Sequence, residues 1–267
     1  MLNNKIIWVA SYPKSGNTWV RFLLANLLCG QIKTSENIEH IIPDIHKPLV
    51  NKKIYQFNDV IFLKTHWKYE KVESLKINTI GAIYIIRNPL DIIVSHLNYF
   101  RISDNVIEKN SFIEQFVNSC GAPQWINFQM GTWIENIESW AYRKNKFPCL
   151  IIRYEDLKTN PYVVVLNICN FLNLHKTETE VNQAIEQSSF QNLCVMEKQE
   201  LKNSTNGFFL SEHQSMNDKE FRFMHKGVVG TFRQVLTKEQ IKRSIDKFGG
   251  IMKKLGYTTE YSILEKQ

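Results

Sequence analysis

At 267 residues the chain has room for one large domain or two small ones. Its 43% hydrophobic and 22% charged composition excludes a disordered, collagen-like or disulfide-stapled protein. Lys and Arg outnumber Asp and Glu by 33 to 26, giving +7 and an isoelectric point near 9.0, which suits nucleic acid, an acidic membrane, a phosphorylated small molecule or simply a soluble surface. The five cysteines are odd in number, far apart and without a C-x-x-C pair, so free thiols in a reducing cytoplasm are expected and a zinc or redox site is not. No secretory leader and no apolar run of the roughly 20 residues needed to cross a bilayer is present, so the chain reads as soluble and intracellular.

In chain order, apolar runs rich in β-branched residues occur at Lys5 to Ala10, Val60 to Lys64, Ala82 to Ile86 and Cys149 to Ile152. Near-continuous runs of this kind suit strands buried on both faces of a parallel sheet. Behind the first run, Trp19, Phe22, Leu23 and Leu27 form one helical stripe. Behind the third, Asn88 can cap and Pro89 can start a helix over Leu90 to Phe100; Asn160 and Pro161 repeat that signal behind the fourth, ahead of Val164, Val165, Ile168, Phe171 and Leu172. The polar stretch Leu201 to Phe221 lacks periodicity and reads as a long loop. Ile241, Ile245, Phe248, Met252 and Leu255 mark a terminal helix that Gly249 and Gly250 are expected to bend or split. Strands alternating with helices, without linker or repeat, predict a single α/β domain over 1–267, with a central parallel sheet flanked by helices.

Ser11-Tyr12-Pro13-Lys14-Ser15-Gly16-Asn17-Thr18-Trp19 joins the first strand to its helix. Ligands of parallel sheets sit at the carboxyl ends of strands, where a helix amino terminus offers unpaired N–H groups to an anion. Gly16 lets the backbone approach closely, Lys14 brings a mobile charge, and Ser15, Asn17 and Thr18 bring short donors, so a phosphate-like group is expected here; an ordinary polar turn is the plain alternative. The loop is not the G-x-x-x-x-G-K-[ST] of nucleoside triphosphatases, because Lys14 precedes Gly16.

Tyr12-Pro13-Lys14-Ser15-Gly16, continued by Thr18 and Trp19, resembles the P-loop-like 5′-phosphosulfate loop of the cytosolic-type sulfotransferases. That family uses 3′-phosphoadenylyl sulfate (PAPS) as donor and releases 3′-phosphoadenosine 5′-phosphate (PAP). Lys64-Thr65-His66 is similar to the family segment whose histidine is the general base on the acceptor and whose lysine steadies the reacting group. An imidazole titrating near working pH suits that role. Arg87 and Ser95 match the pair that binds the donor's 3′-phosphate; one ends a strand and the other lies two turns into the next helix, so both can face one crevice. The plain alternative for Arg87 is an ion pair with Asp91. Tyr154, within Arg153-Tyr154-Glu155-Asp156-Leu157, and Ser188 and Phe190, within Ser188-Ser189-Phe190, match positions around adenine. His225-Lys226-Gly227 resembles the Arg-Lys-Gly loop over the 3′-phosphate, with His225 in place of the arginine, which implies weaker or more pH-dependent donor binding. Thr231-Phe232 replaces Asp-Trp, and the dimer signature is degenerate around Arg233, Thr237, Lys238 and Lys242, leaving the oligomeric state open.

The resemblance implies a PAPS-dependent sulfotransferase of the bacterial type that tailors small natural products. It assigns catalysis to His66, Lys14 and Lys64, and the donor to Lys14, Ser15, Gly16, Asn17, Thr18, Trp19, Arg87, Ser95, Tyr154, Ser188, Phe190, His225, Lys226 and Gly227. It implies no metal, and as partner a small-molecule hydroxyl or amine, not nucleic acid or membrane. The acceptor is expected beside His66 and Lys64, walled by the residues after Trp67, the Phe100 to Trp125 region and Leu201 to Phe221. Tyr99, Phe100, Phe112 and Phe116 there suit a phenol or plain core packing, and Asp104 and Glu108 a cationic amine. A small-molecule or nucleoside kinase and a non-catalytic nucleotide binder are the alternatives.

Overall fold

Strands form where the apolar runs place them: β1 (Lys5–Ser11), β2 (Val60–Thr65), β3 (Thr79–Ile86) and β4 (Cys149–Arg153). They make one all-parallel sheet in the order β2-β1-β3-β4. Polar Ser11, Thr65, Thr79 and Arg153 extend the ends, because ladder pairing uses the backbone whatever the side chain. The computed structural model describes residues 4–49, 53–102, 105–142, 147–216 and 220–259; Asp104 lies outside them.

The period of two along the strands splits the core into two layers. Ile6, Trp8 and Ala10 of β1 and Ala82, Tyr84 and Ile86 of β3 pack beneath the helices Pro89–Tyr99, Val106–Asn118 and Lys238–Lys254. Ile7 and Val9 of β1 and Ile83 and Ile85 of β3 pack on the other face, under Asn17–Cys29, Pro161–Leu172 and Glu178–Gln187. Ile83 is fully buried in the second layer, so truncation to alanine there costs about 2–5 kcal/mol. The chains leaving β1 and β3 turn to opposite faces, and a crevice opens between them at the carboxyl edge.

Asn88 and Asn160 act as the expected caps, accepting from the N–H groups of Leu90 (3.0 Å) and Val163 (3.4 Å). Two expectations are corrected. Gly249 and Gly250 do not interrupt Lys238–Lys254: a Thr237/Gln240 capping box starts that helix, and the buried face of Ile241, Ile245, Phe248 and Met252 outweighs the roughly 1 kcal/mol that each glycine costs. The stretch Leu201 to Phe221 is largely helical where it is described: the helix Phe190–Asn203 runs into it, and a second helix, Phe208–Met216, follows; residues 217–219 lie outside the described residues. Phe208 and Phe209 are buried there, Phe209 stacking on Phe22 at 5.8 Å. Its leading N–H groups are met by distant side chains, Ser35 Oγ accepting from Phe208 (2.7 Å) and Glu200 Oε1 from Leu210 (2.7 Å). All five cysteines are free thiols. Among the described residues no helix is long and apolar enough to cross a membrane.

Candidate active site

The chain leaves β1 through Lys14 (φ 68°) and Gly16 (φ 97°) before entering Asn17–Cys29. A Cβ on Gly16 would lie 2.5 Å from the Tyr154 ring, so glycine is required by space as well as torsion. No side chain caps this helix, which leaves its first N–H groups for a ligand. Asn17 braces the turn from below, its Nδ2 donating to Val9 O (3.1 Å) and Ser11 Oγ (3.2 Å).

A cleft of about 440 Å³ lies over this turn. It is lined by Lys14, Gly16, Asn17, Thr18 and Trp19 of the turn, by Arg87, Ser95, Tyr154 and Phe190, and by His225, Lys226 and Gly227. Lys64 and His66 line it too. Of the residues expected at the site, Ser15 and Ser188 alone stand outside this lining. Ser188 is buried and donates to Ala184 O (2.7 Å), closing its own helix. Ser15 is buried with an unpartnered Oγ.

Arg87 does not pair with Asp91. It donates to Lys14 O (3.0 Å) and Val228 O (3.4 Å) while its guanidinium lies 4.3 Å from the Tyr154 ring centroid, and its buried Nε has no partner. Asp91 accepts instead from Gly230 N (2.7 Å), Phe232 N (3.2 Å) and Thr231 Oγ1 (3.2 Å), anchoring the glycine loop above Arg87. Trp19 meets Tyr154 edge-on at 5.5 Å, and a Cβ on Gly227 (φ 59°) would collide with the Phe190 ring. Lys14 holds its Nζ 3.9 Å from the Tyr99 ring centroid. Burial lowers its ammonium to about 7; Glu212 opposes the shift, and the Arg87 and Lys64 charges add to it.

His66 Nδ1 lies 2.8 Å from Ser11 O. A carbonyl only accepts, so Nδ1 carries the proton and Nε2 is the bare nitrogen. Burial first, then the Lys64 charge, hold this imidazole well below its ordinary range, so it is neutral at pH 7. Asn136 Nδ2 donates to His66 O (2.9 Å), and its Oδ1 accepts from Tyr84 Oη (2.7 Å). Lys64 is buried and paired with Asp44 at 2.7 Å. Of the aromatics expected at the acceptor wall, Tyr99 lines the cleft together with Trp125, Phe208 and Phe223, whereas Phe100, Phe112 and Phe116 pack in the core. Asp44, His46, Asp91 and Glu212 also line the cleft. Sequence reasoning missed them as site residues because no local pattern marks an acid or histidine whose partner is remote.

An uncapped helix start, cations on three segments and a neutral imidazole facing one crevice define a group-transfer site for a polyanionic donor. A family model described as "Sulfotransferase domain" matches residues 4–256, and the chain belongs to the sulfotransferase family. It is 27% identical to the amine sulfotransferase of Oryctolagus cuniculus over 243 residues, covering 89% of this chain and 77% of that protein. It is 28% identical to sulfotransferase 1E1 of Cavia porcellus over 253 residues, covering 90% and 80%. The crystal structure of mouse sulfotransferase SULT7A1 complexed with PAP superposes with a TM-score of 0.65 at 25% identity, covering 93% of this chain and 84% of that one. This protein is thus a PAPS-dependent sulfotransferase acting on a small-molecule acceptor, and the kinase and non-catalytic alternatives fall.

Proposed function

We propose that the cleft holds the donor's 5′-phosphosulfate on Lys14, Ser15, Gly16, Asn17 and Thr18, and its 3′-phosphate between Arg87, Ser95, His225, Lys226 and Gly227. Trp19, Tyr154 and Phe190 form the adenine side, and Ser188 supports it from within its helix. The buried, unpartnered Nε of Arg87, a residue that lines the cleft, fits this reading, since it is a donor that an anion would satisfy. When bound, the donor supplies an activated sulfuryl group on a phosphate leaving group. The observation that carries the base assignment is the bare Nε2 of a neutral His66 in the cleft that Lys14 and Lys64 also line. His66 Nε2 accepts the acceptor's O–H or N–H proton as that oxygen or nitrogen attacks sulfur in line. Lys14 balances charge on the departing bridging oxygen, and Lys64 steadies the acceptor side. Fixed positive charge and positioning provide most of the acceleration, with no metal required.

The acceptor is a small natural product presenting a hydroxyl or amine, received between Tyr99, Trp125, Phe208 and Phe223. The enzyme works in the cytoplasm, in keeping with five free thiols, and not on nucleic acid or membrane; the chain 1–267 acts as one domain. The test is transfer of labelled sulfate from PAPS, without added metal, across phenols, alcohols, amines and glycopeptides, with PAP calorimetry on Arg87→Ala. Label on a small hydroxyl or amine compound and lost PAP affinity in the variant are expected; label confined to glycopeptides, or unchanged affinity, refutes the reading.

A further inference from the structure

Pro43 to His46 runs beside the end of β2. Ile45 N donates to Lys64 O (3.1 Å) and Lys64 N to Pro43 O (2.9 Å), pairing Asp44 with Lys64 in a parallel bridge. The side chains on either side of Ile45 then reach the two residues that flank Thr65. Asp44 Oδ2 accepts from Lys64 Nζ at 2.7 Å, while Oδ1 accepts from His46 N at 3.0 Å, so the carboxylate is itself fixed. His46 Nε2 accepts the backbone N–H of His66 at 2.9 Å. Because an N–H only donates, this bond requires a neutral His46. The His46 ring lies 5.9 Å from the His66 ring at 24° and meets Trp67 edge-on at 4.6 Å. From these contacts we infer that Asp44 and His46 are positioning residues that set the Lys64 ammonium and the His66 imidazole for sulfuryl transfer, an inference that rests on the roles proposed above for Lys64 and His66.

The physical need is specific. The ladder of β2 ends at Thr65, so His66 N–H has no strand partner, and His46 supplies one. With Ser11 O on Nδ1 and Asn136 on the carbonyl, His66 is held at three points by three separate segments. Displacement of a reacting group by about 1 Å costs on the order of 10²-fold in rate, so loss of one point is felt in turnover and not in donor binding. Lys64 faces Asp44, Glu212 from Phe208–Met216, Arg21 from Asn17–Cys29, Lys14 from the β1 turn, and the His46 and His66 rings. Burial, with the Arg21 charge adding to it, lowers the Lys64 ammonium from its ordinary range; Asp44, more than Glu212, opposes that shift. Without the Asp44 carboxylate, Lys64 becomes a neutral amine at lower pH.

The experiment measures kcat, acceptor KM and PAP affinity for His46→Ala, His46→Gln and Asp44→Asn, using the best acceptor of the panel above, with His66→Ala alongside. His46→Ala is expected to lose about 10- to 100-fold in kcat with PAP affinity and acceptor KM within about twofold, and His46→Gln, whose amide oxygen accepts the same N–H, to recover most of it. Asp44→Asn is expected to move the alkaline limb of the kcat profile to lower pH, a shift that a merely structural loss does not produce. Wild-type kcat in His46→Ala, a His46→Gln as slow as His46→Ala, or an unmoved alkaline limb in Asp44→Asn overturns the proposal. Should His46→Ala not fold, the Asp44→Asn profile decides. Normal turnover by His66→Ala overturns the base reading itself; an inactive His66→Ala beside a fully active His46→Ala overturns the positioning role alone.

Discussion

The Arg87 guanidinium donates to the backbone carbonyl of Lys14 at 3.0 Å, so the end of β3 pins the turn that follows β1. A second donor of the same guanidinium reaches Val228 O at 3.4 Å. Three segments far apart in sequence thus meet on one side chain, and the cations they carry are crowded into one cleft.

That crowding has a pH consequence. With Lys14 lowered to about 7 mainly by burial, part of the population is neutral at physiological pH. Donor phosphates favour the ammonium, so binding takes up a proton; affinity is full below pH 7 and falls as pH rises above it. Calorimetry of PAP at pH 7.5 in two buffers of different ionisation enthalpy is expected to show uptake approaching about one proton per PAP, lost in Lys14→Ala. A buffer-independent heat would refute this.

The sequence resemblance puts His225 where arginine is expected, beside the proposed 3′-phosphate site. Burial, then the Lys226 and Arg101 charges, lower its imidazole further, so it is neutral at pH 7 and adds no charge to the side proposed for the 3′-phosphate. His225→Arg is expected to tighten PAP by roughly tenfold, the scale of one charged hydrogen bond. Equal affinity in an isothermal titration would place residue 225 away from the phosphate.

Asp91 holds the loop that carries Lys226. It is 1% exposed and takes three donors from residues 230–232. Asp91→Ala leaves those donors unmet at a cost of about 1–3 kcal/mol, read by urea unfolding, and loosens PAP binding by releasing the loop. Unchanged PAP affinity would show that the loop closes without this anchor.

The sheet was legible because β1 and β3 are buried on both faces, and continuous apolar runs have few other uses. That Lys14, Gly16 and Thr18 share one cleft was legible because they sit within five residues of one turn, the turn proposed to hold the donor. Phe208–Met216 was not, since its buried face is little more than Phe208, Phe209 and His213, and its end is satisfied by Ser35, 173 positions away. Asp44 and His46 are silent in sequence for the same reason: they acquire meaning only when the end of β2 lies beside them. Ser188 shows the opposite limit, where a matching residue turns its hydroxyl to Ala184 O instead of the cleft.

The central claim is that His66 takes the acceptor's proton in a cleft whose donor site is built independently of it. Single-turnover sulfuryl transfer from labelled PAPS by His66→Ala, with PAP affinity measured on the same sample, tests it most directly. A rate about 10² to 10⁴-fold lower with PAP affinity unchanged is the predicted result. Transfer at near the wild-type rate would contradict it.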